Sequence, residues 1–419
     1  MNIPNEAATT NPPEQIHLSY HGKPQEMVVQ WITQKNFDKK TTVPYVIYTT
    51  DLKNKPRAFG ATEKWTDDGK SAISRFTHTV VLTDLIPGAT YYYNAGSDEG
   101  MSKTFEFKAM PTEGKIRAAV FGDFSQVAPV TGYDALLNYT ESNLLDIIFH
   151  IGDIAYDMDA SNGKHGDDFM KWIEPIAARV PYMVVAGNHD GNQDFLHYKN
   201  RFSMPPNGYY DDNQFWSFDL GISHFVGLSS EYYFLDKSTE AKTQLTWLQA
   251  DLQKNLKKPW TFYFIHRPMY CSGKKKTTCD EEEFTITRNG DSKFPGLETP
   301  LFVGGVDMGF WGHRHTYERF YPLYQDRTYV QKDANNFHDS PTPIYLMNGA
   351  GGPLDHEDTA SLVPKPFSVT RLPDIGFIYL EIENETTVKT SFIPSISPFT
   401  PIDRFSLTKT AGYKPGQGK

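Results

Sequence analysis

Apolar and polar residues alternate along residues 16–108 in short runs with the two-residue period of β-strands. Met27, Val29 and Trp31, for example, fall on one face of such a strand. Further strands are predicted at 45–48, 78–82, 91–95 and 104–107, between turn-rich segments. No helical period separates them, so this part of the chain is predicted to be all β.

One turn-rich stretch, LIPGATY at 85–91, indicates which kind of β unit this is. At the corner of a β-sandwich, a tyrosine in this place binds upstream backbone through its hydroxyl, and Tyr91 has that position. We therefore predict a fibronectin-III-like β-sandwich over residues 16–110, preceded by a polar tail over residues 1–15.

From Lys115 onward apolar runs alternate with segments of helical period, which predicts an α/β domain with β-sheets flanked by helices. The predicted strands are 116–121, 146–149, 182–186, 221–230, 260–265, 309–311, 344–347, 377–382 and 388–393. The predicted helices are 134–145, 168–179 and 239–252. The domain is predicted to span residues 115–400, with C-terminal strands within 341–395, and residues 401–419 are predicted to be a tail.

Five of these strands are followed by residues of the kinds that bind metal ions. These residues are Asp123, Asp153, Asn188 with His189, His266, and His313 with His315. One polar residue at a strand end is commonly a helix cap. Five such ends favour a shared metal site, because ligands bind at the carboxyl ends of strands in open α/β sheets and the adjacent glycines let backbone approach closely. Tyr156 follows Asp153 by three residues, so a tight turn would bring its phenol beside that carboxylate.

The overall charge narrows the choice of partners. The chain has 41 basic and 51 acidic residues among 419, a formal net charge of −10, which argues against nucleic acid as the main partner. A small phosphorylated substrate held by metal ions is compatible with this charge.

No apolar run is long enough to cross a membrane. The first fifteen residues lack the apolar centre of a signal peptide, so either the chain is cytosolic or such a signal has been removed.

Two cysteines and two sequons bear on the compartment. Cys271 and Cys279 are either two unrelated thiols or a disulfide that closes a short loop, and their spacing suits the disulfide. The triplets that begin at Asn138 and Asn384 match the acceptor pattern for glycosylation, which arises often by chance.

Several motifs together resemble the purple acid phosphatases, a family of metallophosphoesterases. They are GDF at 122–124, GDIAY at 152–156, GNHD at 187–190, IHRPMY at 265–270 and GHRH at 312–315. The resemblance extends to the β-sandwich in front and to NGAGG at 348–352 behind, and HRPMY is most similar to the larger animal and eukaryotic forms. It implies the same two-domain fold and a metallophosphoesterase catalytic domain.

The resemblance also implies two metal ions bridged by Asp153. Asp123, Tyr156 and His315 would hold Fe(III), whereas Asn188, His266 and His313 would hold a divalent ion, either zinc, iron or manganese. Ligand chemistry agrees with this division, because anionic oxygens suit Fe(III) while imidazoles and an amide suit the softer ion. A phenolate on Fe(III) also gives the charge-transfer colour for which the family is named.

The implied activity is hydrolysis of phosphate monoesters by attack of a metal-bound hydroxide, with Asp153 among the catalytic residues. Asn188 and His189 would contact the substrate phosphate, with His189 as a candidate proton donor, and the alternative is that His189 only supports Asn188. A phosphodiesterase or nucleotide hydrolase of the same superfamily is one alternative. A catalytically silent protein that binds partners through its β-sandwich is another.

Two departures from the family pattern affect these expectations. Ser125 stands where the family usually has glycine, at the end of the first motif. Lys275 and Lys276 stand where plant members have two substrate-binding histidines, which leaves open whether they bind phosphate or belong to a solvated charge run. The spacing of the two cysteines, with no third cysteine in the chain, favours a secreted or lysosomal protein, with a cytoplasmic one as the alternative. Outside the ligand set, His150 and His224 are predicted to make structural hydrogen bonds or to orient ligands, and Asp190 and Glu318 to support the ligands from outside. His165, His197 and His356 are predicted to be surface or loop residues.

Overall fold

The computed structural model of the protein describes residues 11–51, 53–272, 282–355 and 365–417. Both predicted domains are present: an all-β domain comes first, and an α/β domain follows it. The predicted fold class is therefore confirmed.

The first domain is a sandwich of two antiparallel sheets. One sheet has the strand order β1-β2-β6-β5, and the other has the order β4-β3-β7-β8, with β9 paired to β7. The strands are β1 (Glu14–Ser19), β2 (Met27–Thr33), β3 (Tyr45–Thr49), β4 (Arg57–Phe59), β5 (Ala61–Thr66), β6 (Ser74–Leu82), β7 (Thr90–Ser97), β8 (Gly100–Met101) and β9 (Phe105–Lys108). The backbone N–H of Ile86 donates to the hydroxyl of Tyr91 at 2.9 Å, which confirms the predicted tyrosine corner.

The second domain contains two seven-stranded sheets and a short hairpin. Sheet I has the order β12-β11-β10-β23-β24-β25-β20, sheet II has the order β13-β14-β15-β16-β21-β17-β22, and β18 pairs with β19. The strands are β10 (Ile116–Phe121), β11 (Ile147–Ile151), β12 (Tyr182–Val185), β13 (Trp216–Leu220), β14 (Ser223–Gly227), β15 (Trp260–Phe264), β16 (Met308–Trp311), β17 (Tyr317–Phe320), β18 (Leu323–Tyr324), β19 (Arg327–Thr328), β20 (Asn336–His338), β21 (Ile344–Asn348), β22 (Ser368–Leu372), β23 (Gly376–Asn384), β24 (Thr387–Pro394) and β25 (Asp403–Thr408).

Helices accompany these sheets. They are α1 (Tyr133–Glu141), α2 (Lys164–Ala177), α3 (Asn192–Arg201), α4 (Ser238–Asn255), α5 (Glu282–Asn289) and α6 (Glu298–Val303), with single 3₁₀ turns at Asn188–Asp190 and Glu231–Tyr233. Helix α2 begins four residues before its predicted start, directly after Gly163, whose φ of 78° interrupts the preceding turn.

The two sheets share one apolar core, which sets their parallel strands face to face. Phe149 of sheet I stacks on Phe264 of sheet II with ring centroids 4.0 Å apart. Strands β10, β11 and β12 are parallel to one another, as are β14, β15, β16 and β21. The metal-binding residue types follow β10, β11 and β12 of sheet I and β15 and β16 of sheet II, so both sheets contribute to one site.

The predicted C-terminal tail is wrong for residues 403–408, which form β25. This strand pairs antiparallel with β24 and parallel with β20. Phe405 and Leu407 alternate with polar residues and are buried, which is the pattern of a strand with one face in the core. Beyond it, Lys409 and Lys414 bind the buried carboxylate of Asp307 at 2.7 and 3.1 Å.

A buried ion cluster joins the sandwich to the second domain. Arg75 of β6 donates through Nε and Nη2 to the carboxylate of Asp167 in α2, at 2.8–3.1 Å. Arg201 of α3 donates to the same carboxylate at 2.9 Å. His197 lies 2.6 Å from the Asp67 carboxylate and is almost fully buried, so its predicted surface location is wrong. The contact joins residues 130 positions apart, which local sequence does not reveal.

Candidate metal centre

One cluster of donor atoms forms where strands β11, β12, β15 and β16 end. Single donor atoms of Asp153, His266 and His313 all lie within 4.8 Å of one another. The Oδ1 atom of Asn188 lies 3.1 Å from Nε2 of His266 and 2.8 Å from Nδ1 of His313. The structure thus brings together the four residues for which a divalent ion is expected.

A second cluster lies beside the first and combines residues that follow β10 and β11 of sheet I and β16 of sheet II. The phenol oxygen of Tyr156 is 2.8 Å from Nε2 of His315 and 3.4 Å from Oδ1 of Asp123. The same Nε2 atom lies 3.3 Å from Asp123 Oδ1. The two clusters are linked, because the backbone N–H of His313 donates to Oδ2 of Asp123 at 2.8 Å. All three residues expected to hold Fe(III) therefore point at one another.

The backbone of these ligand residues is strained. Asp123, Asp153, Tyr156 and His313 have φ values of 60°, 52°, 59° and 68°, in the left-handed region that residues with a side chain avoid. Such a conformation costs of order 1–3 kcal/mol per residue and concentrates at functional sites. Four of the seven expected ligands adopt it, so the turns after the strands are shaped to aim these side chains inward.

Two glycines make the close approach of the turns possible. A Cβ atom on Gly152, whose φ is 92°, would lie 2.3 Å from Nδ1 of His266. A Cβ atom on Gly187 would lie 2.3 Å from Oδ1 of Asp153. Any side chain at either position would displace an expected ligand, which explains why glycine precedes the polar residue in these motifs.

Burial and charge act in opposite directions on the ligands. Burial would raise the pKa of Asp153, but the charges of His266 and His189 hold it well below its ordinary value. Burial would lower the pKa of His266, but the Asp153 carboxylate raises it to about 10. The pKa of His315 is likewise raised to about 9 against the effect of burial, chiefly by Asp123. Carboxylates at this site thus strongly favour a neighbouring cation.

The donor set fits a pair of metal ions. Two carboxylates, a phenol, an amide oxygen and three imidazoles converge, and these are oxygen and nitrogen ligands of the types used for iron and zinc. The outer ring nitrogens are already engaged: Nδ1 of His266 lies 2.9 Å from the carbonyl of Ile151, and Nδ1 of His315 lies 2.7 Å from that of Asp355. These two rings therefore present Nε2 to the site, as in histidine ligands with an outer hydrogen bond, whereas His313 faces Asn188 through Nδ1.

His189 lies at the opening of the site and outside both clusters. Its backbone N–H donates to Oδ1 of Asp153 at 3.0 Å. Its Nδ1 atom is 3.0 Å from Oδ1 of Asp157, and its side chain is 36% exposed. The Tyr156 ring packs against it, with centroids 4.7 Å apart. This accessible, oriented imidazole suits contact with a substrate better than metal ligation.

Three residues support these ligands from outside, and sequence reasoning missed two of them. Asp157 pairs with His189 and directly follows Tyr156, so its place beside the motif was a signal. Asp355 binds His315 through both its carbonyl and its carboxylate, and no local pattern marks it. Asp190 was predicted to have this supporting role. Its carboxylate accepts the N–H groups of Gly187 and Ile154 and so ties two ligand turns together.

The remaining residues named from the sequence either have structural roles or lie outside the described residues. His150 contacts the hydroxyl of Tyr182 at 2.9 Å, and His224 lies between two aspartates, so both are structural as predicted. Ser125 is buried, and its N–H donates to the carbonyl of Gly352 at 3.0 Å, so the serine is accommodated in the first turn. Lys275, Lys276, Cys279 and His356 lie outside the described residues.

Two facing sheets with metal-ligand residues at their strand ends define a metallophosphoesterase. Residues 116–317 match the family model described as calcineurin-like phosphoesterase, and residues 13–109 match that of the purple acid phosphatase N-terminal domain. The human protein named acid phosphatase type 7 is 34% identical over 390 residues, which cover 90% of this chain and 86% of the relative. The zebrafish protein of the same name is 32% identical over 411 residues, covering 95% and 91%. The chain belongs to the purple acid phosphatase family.

A solved structure agrees with this fold. The purple acid phosphatase PPD1 from yellow lupin seeds superposes with a TM-score of 0.77, over 96% of this chain and 75% of that chain. The sequence identity between the two is 21%, so the likeness concerns the fold.

Proposed function

We propose that this protein is a binuclear metal-dependent acid phosphatase that hydrolyses phosphate monoesters. The observation that carries the proposal is the convergence of seven donor side chains in two adjoining clusters at the strand ends of both sheets. The relatives named acid phosphatase type 7 support the same activity.

Asp123, Tyr156 and His315 would hold Fe(III), and Asn188, His266 and His313 would hold zinc, iron or manganese, with Asp153 between the two ions. When bound, the ions neutralise phosphate oxygens and acidify a water molecule. The ligand chemistry supports this division, because a phenol and carboxylates suit Fe(III) whereas imidazoles and an amide suit a softer ion.

His189 and Asn188 are the residues proposed to contact the substrate phosphate. The pairing of His189 Nδ1 with Asp157 orients the ring and leaves Nε2 for the phosphate or the leaving group. A general acid must reach the proton-accepting atom within hydrogen-bond distance, and the position of His189 at the opening of the site suits that role. Lys275 and Lys276 are further candidates for phosphate binding as point charges.

The proposed substrate is a small phosphorylated molecule. The net charge of −10 disfavours nucleic acid. Within the part of the chain that the structure describes, none of the helices has the length and apolar character required to span a bilayer.

Metal analysis combined with substrate comparison tests the proposal. We expect about two metal ions per chain, as two-metal hydrolysis requires, and faster turnover of an aryl phosphate monoester than of the corresponding diester. A preference for the diester would indicate the phosphodiesterase alternative. A protein that cannot be loaded with metal would indicate the silent binding protein.

We further propose a secreted or lysosomal location, with Cys271 and Cys279 joined in a disulfide and glycans on Asn138 and Asn384. The side chains of both asparagines are exposed, which suits a bulky glycan. Disulfides persist in oxidising compartments. Mass spectrometry of unreduced protein from its native source tests all three modifications, and two freely alkylated thiols would restore the cytoplasmic alternative.

A further inference from the structure

We propose that the buried ion pair between Glu231 and Arg267 is a positioning device for the divalent half of the metal centre. The inference rests on the proposed function, because it assumes that His266 and Asn188 hold an ion. Glu231 belongs to residues 230–235, called here the clamp segment, which contains the 3₁₀ turn Glu231–Tyr233.

The clamp segment holds the backbone directly after His266. Arg267 is the next residue, and its N–H donates to Oγ of Ser230 at 3.1 Å. That hydroxyl in turn donates to Oε1 of Glu231 at 2.8 Å. On its other side, the carbonyl of His266 accepts the N–H of Gly312 at 3.0 Å. The chain around this ligand is therefore held from two sides.

The ion pair itself is buried and well oriented. Nε of Arg267 lies 3.0 and 3.1 Å from the two Glu231 oxygens, and Nη2 lies 3.1 Å from Oε2. The guanidinium carbon also lies 3.9 Å from the ring centroid of Phe234. Glu231 is 2% exposed and Arg267 is 8% exposed. Together these contacts fix the arginine along its length.

Stability alone is a weak reason for such a pair. Removing two charges from water costs about as much as their attraction returns, so a buried pair is commonly no more stable than apolar residues of the same volume. A fixed pair does, however, restrict the geometry of what is attached to it. Here the residue next to Arg267 is the expected ligand His266.

The clamp segment also reaches the turn that carries Asn188. A Cβ atom on Gly191 would lie 3.4 Å from Cδ1 of Leu235, which is ordinary contact distance. Just beyond the segment, Lys237 binds the Asp194 carboxylate at 2.8 Å. One segment thus contacts the chain after both His266 and Asn188, the two residues whose side chains meet at 3.1 Å.

The test uses Glu231→Gln, which keeps the shape of the side chain and removes its charge. Iron-loaded protein is titrated with Zn²⁺ after its divalent site has been emptied. We expect zinc affinity to fall about tenfold, the low end of the loss when a group bonded directly to a metal ligand is removed, because Glu231 acts on His266 only through Arg267. The visible band of the Tyr156 phenolate should stay unchanged, because the clamp segment contacts the divalent half. Ser230→Ala, which removes one anchor and no charge, should give a smaller fall and serves if Glu231→Gln does not fold.

Asp403→Asn is the matched control. It breaks another buried bidentate pair, in which Arg319 donates to Asp403 at 2.7 and 2.8 Å, and it should lower the melting temperature without changing zinc affinity. If Glu231→Gln and Ser230→Ala lower the melting temperature and leave zinc affinity at the wild-type value, the pair is only stabilising and the inference is overturned. If wild-type protein binds no divalent ion at all, the proposed function fails and the inference fails with it.

Discussion

Nδ1 of His189 and Oδ1 of Asp157 lie 3.0 Å apart at the opening of the metal site. The carboxylate fixes the orientation of the imidazole and belongs to neither cluster of expected metal ligands. Asp157 directly follows Tyr156, so one turn supplies an expected metal ligand and the partner of the histidine proposed to face the substrate. The proposed roles of holding metal and handling protons thus fall to neighbouring side chains, and mutations can distinguish them.

His189→Ala is expected to lower kcat about 10²–10⁴-fold while both metal ions are retained, since general acid–base catalysis contributes in that range. His313→Ala should instead empty the divalent site, because it removes a ligand. Elemental analysis beside steady-state kinetics separates the two effects. Loss of metal from His189→Ala as severe as that from His313→Ala would show that the two roles are wrongly assigned.

Tyr156→Phe is expected to abolish the visible colour of the oxidised, iron-loaded protein, because the phenolate supplies the charge-transfer band. The ring and its packing against His189 remain in this variant, so far-UV circular dichroism should match the wild type. Tyr182→Phe, which removes a buried phenol that contacts His150 and lies outside the clusters, should leave the colour intact. An unchanged spectrum in Tyr156→Phe would contradict the assignment of this ligand.

Activity on aryl phosphate monoesters is expected to be greatest below neutral pH. The dianion of a phosphate monoester takes up one proton near pH ~6, and the resulting monoanion is repelled less by an acidic protein. A histidine that donates a proton to the leaving group must also be protonated, which again favours acid. The measurement is a pH–rate profile with metal content monitored at each pH. A maximum above neutrality would favour the phosphodiesterase alternative.

Asp167→Asn is expected to destabilise the junction of the two domains by about 3–5 kcal/mol, because it leaves Arg75 and Arg201 buried without their counter-charge. Glu106→Gln is the control: it breaks another ion pair between the domains, with Arg179, which is more than a third exposed and so contributes little. Differential scanning calorimetry of both variants measures the contrast.

The Asp167 pair should also be pH-dependent in a defined window. Burial would raise the pKa of Asp167, but Arg201 and Arg75 lower it from 3.8 to about 2. A depressed carboxylate stabilises the folded state fully above pH 3.8 and loses that contribution as the pH falls towards 2. The difference between wild type and Asp167→Asn should therefore shrink over this interval, and a constant difference would contradict the proposed charge interaction.

The parts of the fold that sequence predicted well are those whose signal is local. Strand β10 begins and ends as predicted, because its run of six mostly apolar residues is followed directly by a glycine and a carboxylate. The convergence of Asp123 with His315 follows from the rule that ligands gather at strand ends, although 192 positions separate the two residues.

The parts that were missed depend on distant contacts or faint patterns. His197 looks like an ordinary polar residue until Asp67, 130 positions away, is brought against it. Strand β25 buries only two large apolar residues, Phe405 and Leu407, which is too little to distinguish a strand from a tail. Asp355 lies in no periodic segment, so its contact with His315 follows only from the folded chain.

The two lysines that follow β25 have a consequence for how the chain is made. Lys409 lies 102 residues after Asp307, the buried carboxylate it neutralises. At about 5–20 residues per second, a ribosome needs several seconds to cover that interval. During this time neither lysine is available to neutralise the Asp307 carboxylate in the core. The whole β-sandwich has already been synthesised and can fold. The second domain is therefore expected to complete its folding late. The sandwich can fold earlier, with Arg75 still exposed to water.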